Sequence, residues 1–125
     1  LLLCLTVTAA VMCLQYVGHW LDGQRSGQGA FSAFSGGDQY SGDWLLDLKH
    51  GFGKYKSESG TYEGQYQCGK LHGKGIFTYP NGDVYEGVWL KDKKQGKGTY
   101  LYAEDGKRWV AMWRDDELIE KVEVK

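Results

Sequence analysis

One spacing governs what this chain can fold into. A large ring recurs at Tyr16, Tyr40, Tyr62, Tyr85 and Trp109, in steps of 24, 22, 23 and 24 residues. After each of the first four, a glycine follows two residues on (Gly18, Gly42, Gly64, Gly87) and a second ring four residues on (Trp20, Trp44, Tyr66, Trp89). Seven residues beyond that second ring, in all four copies, a Gly-x-Gly begins: Gly27/Gly29, Gly51/Gly53, Gly73/Gly75 and Gly96/Gly98. One more aromatic lies two residues past each pair, at Phe31, Tyr55, Phe77 and Tyr100. A fixed period of roughly 20–50 residues marks a repeat array, in which a unit buries its apolar face only by stacking on neighbours.

Inside each segment the period is two. Tyr85, Gly87 and Trp89 fall on one face of a strand, and so do Gly73, Gly75, Phe77 and Tyr79. Turn signals stand between the units at Gly36-Gly37, Ser59-Gly60, Asn81-Gly82 and Asp105-Gly106, and such pairs favour the primed turns of hairpins. The expected unit is two short strands, Tyr-x-Gly-x-Trp and Gly-x-Gly-x-aromatic, joined by a polar loop of about six residues. This accounts for an odd composition of 19 glycines, one proline and 18 aromatics in 125 residues. A strand glycine leaves bare backbone on the sheet, and a ring on a neighbouring strand can lie over it. Sixteen of the 18 rings occupy repeat slots; Phe34 and Phe52 do not.

These residues resemble the MORN (membrane occupation and recognition nexus) repeat, with its pattern Tyr-x-Gly-x-Trp-x-x-Gly-x-x-x-Gly-x-Gly. The likeness is strongest at YEGQYQCGKLHGKG (62–75) and YEGVWLKDKKQGKG (85–98), and YVGHWLDGQRSGQG (16–29) follows it. YSGDWLLDLKHGFG (40–53) departs with Asp47 at the mid-loop glycine, as does the fourth unit with Asp92. The resemblance implies an all-β fold: an elongated single-layer antiparallel sheet of stacked β-hairpin repeats. The array runs over 16–113, with units starting at 16, 40, 62, 85 and 109. In the fifth unit Trp109 and Trp113 fill the ring slots, Ala111 replaces the first glycine and Glu120 stands where Gly-x-Gly should start.

Both ends are atypical. Residues 114–125 form a charged cap, DDELIEKVEVK being a capping strand or a short helix begun by Asp115 or Asp116. Residues 1–15 are an apolar segment with two readings. Laid against the second unit, Leu3 and Leu5 take glycine slots and Val7 an aromatic slot, which makes LTVTAA a strand of a degenerate first hairpin. The other reading is the remnant of a hydrophobic span or signal; the apolar run over 1–14 is shorter than the ~20 residues of a full span. A first residue of Leu rather than Met marks an expected fragment or processed chain.

No enzyme motif is present. His50 and His72 precede Gly-x-Gly in matching slots, so they recur along the array, whereas catalytic groups converge. There is no nucleophile elbow, Cys/His pairing or P-loop. Asp38, Asp43 and Asp47 lack EF-hand spacing, and Cys4, Cys13 and Cys68 make neither a disulfide framework nor a zinc set. The expectation is a non-enzymatic chain with no cofactor and no metal, its cysteines reduced in the cytoplasm. A net charge of −1 argues against a nucleic-acid partner.

Two interaction surfaces are expected. The first is the ring face, Tyr40, Trp44, Tyr62, Tyr66, Tyr85, Trp89 and Trp109, as anchors for a partner protein, with the ends of the sheet open to strands of other chains, a second copy included. The second is an edge of loops carrying Lys70, Lys74, Lys91, Lys93, Lys94 and Lys97, within a stretch of net charge +4 (residues 49–108, 11 basic against 7 acidic). Such a cluster suits an anionic membrane lipid. GKGTYLYAEDG (96–106) is similar to repeats of radial-spoke head proteins, which implies an axonemal or cytoskeletal partner in a cilium or flagellum. Arrays of this kind also resemble the regulatory repeats of larger enzymes.

Overall fold

The computed structural model describes residues 2–7, 12–33 and 37–125. They form one antiparallel sheet of eleven strands in chain order: β1 (Leu2–Val7), β2 (Met12–Leu21), β3 (Gln24–Ser32), β4 (Gln39–Leu45), β5 (Leu48–Ser57), β6 (Gly60–Gln67), β7 (Lys70–Thr78), β8 (Val84–Leu90), β9 (Lys93–Leu101), β10 (Arg108–Arg114) and β11 (Glu117–Val124). Each strand pairs with its sequence neighbours, as expected of stacked hairpins.

The turns sit elsewhere than the dipeptide signals suggest. The two-residue turns with both central residues at positive φ lie inside the units: Asp22/Gly23 (52°, 76°), Leu46/Asp47 (49°, 67°), Cys68/Gly69 (50°, 80°), Lys91/Asp92 (49°, 67°) and Asp115/Asp116 (47°, 66°). The expected six-residue loop is therefore mostly strand: Trp44 pairs Lys49 and Leu45 pairs Leu48 on either side of the turn. Between units the connections differ: Glu58-Ser59 is itself a two-residue turn, closed by Ser57↔Gly60 with positive φ only at Gly60 (137°), whereas the next two are longer. Asn81-Gly82 and Asp105-Gly106 lie in longer loops where positive φ is confined to Gly82 (94°) and Gly106 (68°). The Gly36-Gly37 signal falls partly outside the described residues.

The Gly-x-Gly pair has two distinct jobs. Its first glycine is a bulge: between Gly64↔Gly75 and Tyr66↔Leu71, Gln65 alone opposes three residues. Gly73 there has φ 73°, and a Cβ on it would meet the Gln65 side chain, so it leaves the ring face on which the period placed it. The second glycine belongs to a row that crosses the sheet, Gly18↔Gly29↔Gly42↔Gly53↔Gly64↔Gly75↔Gly87, and Gly98 then pairs Ala111. Over this row lie the tyrosines. A Cβ on Gly75 would stand 2.3 Å from the Tyr62 hydroxyl, and one on Gly64 2.5 Å from the Gly75 Cα. The covering ring thus comes from the glycine's own hairpin, two residues before one glycine and across the strand pair from the other. Ala111, fully buried, takes the place of the row's glycine in unit five, where Trp109 stands in the tyrosine slot.

The core is a zigzag of rings on one face. Trp20–Tyr16–Trp44–Tyr40–Tyr66–Tyr62–Trp89–Tyr85–Trp113 make eight successive edge-to-face contacts with centroids 5.0–6.2 Å apart. Each tyrosine touches the second ring of its own unit and of the next, the T-shaped geometry favoured by ring quadrupoles.

At the ends, β11 is a strand, which removes the short-helix alternative for the cap. Without Gly-x-Gly the fifth unit's bulge shrinks to the single residue Ile119, between Trp113↔Leu118 and Met112↔Glu120. β1 is also a strand, but its pairing is slipped. Leu3 opposes Tyr16 and Val7 opposes Met12, four residues from the register in which Leu3 and Leu5 would take glycine slots. Residues 8–10 of the LTVTAA reading lie outside the described residues. No helix among the described residues is long and apolar enough to cross a membrane.

Candidate interaction surfaces

The ring face is largely consumed by the chain itself. Tyr40, Tyr62 and Tyr85 are 0–1% exposed, and Trp44, Tyr66 and Trp89 5–7%. Six of the seven rings proposed as partner anchors are therefore interior, buried against one another and against the glycine row. Trp109 is the exception. It is half-buried beside Tyr102, Lys107 and Lys121 in an open cleft of about 610 Å³ at the C-terminal end.

Cations that the spacing did not single out as a set lie across these rings. Arg25, Lys49 and Lys94 each stand five residues after a second ring, a slot filled by Leu71 in unit three. Arg25 lies 4.3 Å from the Trp44 ring centroid, Lys49 4.1 Å from Tyr55 and 5.2 Å from Tyr40, and Lys94 4.6–5.9 Å from four rings including Tyr85 and Trp113. Lys94 also donates to the Tyr100 hydroxyl at 2.7 Å. In each case the charged group sits over the π-face of a ring. Burial lowers the Lys49 ammonium below its ordinary value and raises Tyr62 and Tyr85 to about 12.

The aspartates that break the repeat pattern are inter-unit ties. Asp47 Oδ1 accepts from the Arg25 amide (2.8 Å) and guanidinium (2.9 Å), and these hydrogen bonds hold its carboxyl below the usual range. Asp92 accepts from the Leu71 amide (2.8 Å) and Asp116 from the Lys94 amide (2.7 Å). Gly69 holds the same slot in unit three, where only its amide bond to the Lys49 carbonyl remains (2.9 Å).

The six lysines expected to form one patch are split over three surfaces. Lys70, Lys91 and Lys93 are exposed beside the unit turns. Lys94 is on the ring face, and Lys74 and Lys97 are on the opposite face. The cause is the strand period: Lys93 and Lys94 are neighbours in sequence and so point to opposite sides.

The opposite face offers a surface that sequence reasoning missed. An open trough of about 640 Å³ crosses β5–β9 along the glycine row. Phe52, Lys74, Val88 and Lys97 form the wall nearer the unit turns, and Glu63, Ile76, Glu86 and Thr99 the other. Phe52, Ile76 and Val88 are 56%, 40% and 38% exposed. The available signal was Phe52, one of two rings outside the repeat slots, and the apolar residues flanking glycines on the alternate period. Among the described residues no cluster of three or more metal-ligating side chains occurs.

Residues 16–37, 40–61, 62–84 and 85–107 each match the MORN repeat. The chain is 43% identical over 44 residues to "MORN repeat-containing protein 3" of Xenopus laevis, covering 34% of this chain and 18% of that protein. It is 34% identical over 68 residues to "Alsin" of Rattus norvegicus and of Homo sapiens, covering 50% of this chain and 4% of each relative. The chain thus spans less than a fifth of the length of these relatives.

Proposed function

The chain belongs to the MORN repeat family, and on that premise we propose that it is a non-enzymatic scaffold whose partner surface is the face opposite the rings. One observation carries this reading. The rings are spent on the internal zigzag, while Phe52, Ile76 and Val88 line an open trough with more than a third of each exposed. An antiparallel sheet commonly packs one face and leaves the other to solvent, and here the open face carries apolar side chains. Photo-crosslinkers at positions 76 and 88, with position 109 as the ring-face control, test it in cells that make the protein. The expected result is one partner band from 76 and 88. Crosslinks confined to position 109 would move the partner to the C-terminal cleft and sink the proposal. Axonemal placement is part of the proposal and is supported by the radial-spoke likeness of residues 96–106 alone; a tagged chain absent from cilia would remove it.

A second reading is supported by the turn edge. Leu21, Leu45, Leu46 and Leu48 are 45–64% exposed there, along the edge that bears Lys70, Lys91 and Lys93. Protruding leucines beside lysines suit an anionic bilayer. Flotation with phosphatidylserine vesicles that survives Lys91→Glu/Lys93→Glu and Leu46→Asp would exclude this edge.

A further inference from the structure

We propose that the trough takes an amphipathic α-helix lying across the strands, its apolar stripe over Ile76 and Val88, one flank acidic toward Lys74 and Lys97 and the other basic toward Glu63 and Glu86. This rests on the reading of that face as the partner surface.

Four observations converge. The register fixes the walls: Glu63 opposes Ile76, Ile76 opposes Glu86 and Lys74 opposes Val88, on either side of the Gly64–Gly75–Gly87 floor. Over β6–β9 the charges are sorted, Lys74 and Lys97 on one wall and Glu63 and Glu86 on the other, while Lys54 continues the glutamate row outside the trough opposite Glu63; none of the four trough charges makes an ion pair among the described residues. The backbone groups of the floor are engaged in the sheet. A ligand crossing the strands cannot add as a strand, and a helix satisfies its own N–H and C=O groups without help from the sheet. The repeat distances agree as well. Lys74 to Lys97 and Glu63 to Glu86 each span two strand spacings, about 10 Å. Seven helical residues rise about 10.5 Å, so charges placed one heptad apart meet successive units in register.

Three labelled 21-residue peptides test this on the full chain. All carry the same apolar heptad stripe. One has a Glu flank and a Lys flank, one Glu on both flanks and one Lys on both. By fluorescence anisotropy the mixed peptide should bind saturably, at least five-fold tighter than either single-sign peptide. Lys74→Glu/Lys97→Glu, a change of exposed side chains, should transfer the preference to the all-Lys peptide. Val88→Asp should abolish binding while the melting temperature holds. Absence of saturable binding by the mixed peptide, or equal affinity for all three, overturns the proposal. Crosslinks at 76 and 88 with no peptide preference would leave the partner surface standing and remove the helix; no crosslink at either position removes both.

Discussion

The Asp92 carboxylate accepts a hydrogen bond from the Leu71 amide at 2.8 Å, tying the turn of one repeat to the start of the returning strand, β7, of the repeat before it. The same tie joins Asp47 to Arg25 and Asp116 to Lys94, and it is missing where Gly69 faces Lys49. Asp92→Gly relieves the left-handed backbone while removing the bond, so it should destabilise by about 1 kcal/mol. The reverse change, Gly69→Asp, should stabilise by about 0.5–1 kcal/mol. A Cβ at residue 69 meets nothing nearer than Leu48 at 3.5 Å, and aspartate already holds this conformation at φ 67° in Asp47 and Asp92. Urea denaturation of both variants checks the pair. A Gly69→Asp protein weaker than the parent would show that the tie does not transfer.

The glycine row should reject even a methyl group. Gly64→Ala places a Cβ 2.5 Å from the Gly75 Cα, against backbone that cannot rotate away. In Gly87→Ala the three atoms nearest the added Cβ all belong to the Tyr85 ring, the hydroxyl standing 2.5 Å away. Both should cost at least about 1–3 kcal/mol by overpacking, and Gly64→Ala should cost more. Melting temperatures in the opposite order would refute the distinction between backbone and ring.

Two tyrosines in the same slot differ in one bond. The Tyr62 hydroxyl donates to the Gln65 carbonyl at 3.0 Å, whereas the buried Tyr85 hydroxyl has no hydrogen-bond partner among the described residues. Tyr62→Phe should therefore cost about 1 kcal/mol and Tyr85→Phe nothing, or stabilise slightly. Equal losses in a denaturant titration would contradict this.

Alkaline pH should unfold the array from the rings. Folded Tyr62 and Tyr85 keep their protons to about 12, because burial disfavours the phenolate, against an ordinary value of 10.0. Between these values the folded state holds more protons than the unfolded one, so stability is full below pH 10 and falls as pH rises toward 12. Lys49, lowered by burial, acts in the opposite sense, but it is one group against several tyrosines. Urea midpoints from pH 8 to 11.5, with tyrosinate absorbance, should show stability falling before the buried rings ionise. A flat profile would count against buried, neutral tyrosines.

How much of this could be read beforehand depended on which residues carried the information. The slots of Tyr62, Gly64, Tyr66 and Gly75 were legible because ring and glycine must coincide on one face, and a constant interval of seven is hard to produce otherwise. The turn positions were not legible. Leu46, Cys68 and Lys91 occupy left-handed backbone that composition assigns to Asn or Gly, and the array imposes it through pairings such as Trp44↔Lys49. Burial of Tyr40 and Trp89 was undecided by pattern, since a ring stripe reads alike as core or as surface. Only the contacts between successive units distinguish them. The trough was hidden for a related reason: Ile76 and Val88 flank glycines on the alternate face, where the repeat pattern leaves residues free.

In the zigzag, Tyr62 touches Tyr66 beside it and Trp89 ahead of it, and Tyr16, Tyr40 and Tyr85 do the same in their own units. Each of the first four units therefore offers a ring socket behind and a tyrosine plug in front, and the edge-to-face geometry of the contact is the same at the second unit as at the fourth. A duplicated copy of residues 62–84 would find matching rings on both sides. The molecule carries no ruler: its length is a count of copies, free to change by whole units without any ring losing its neighbours.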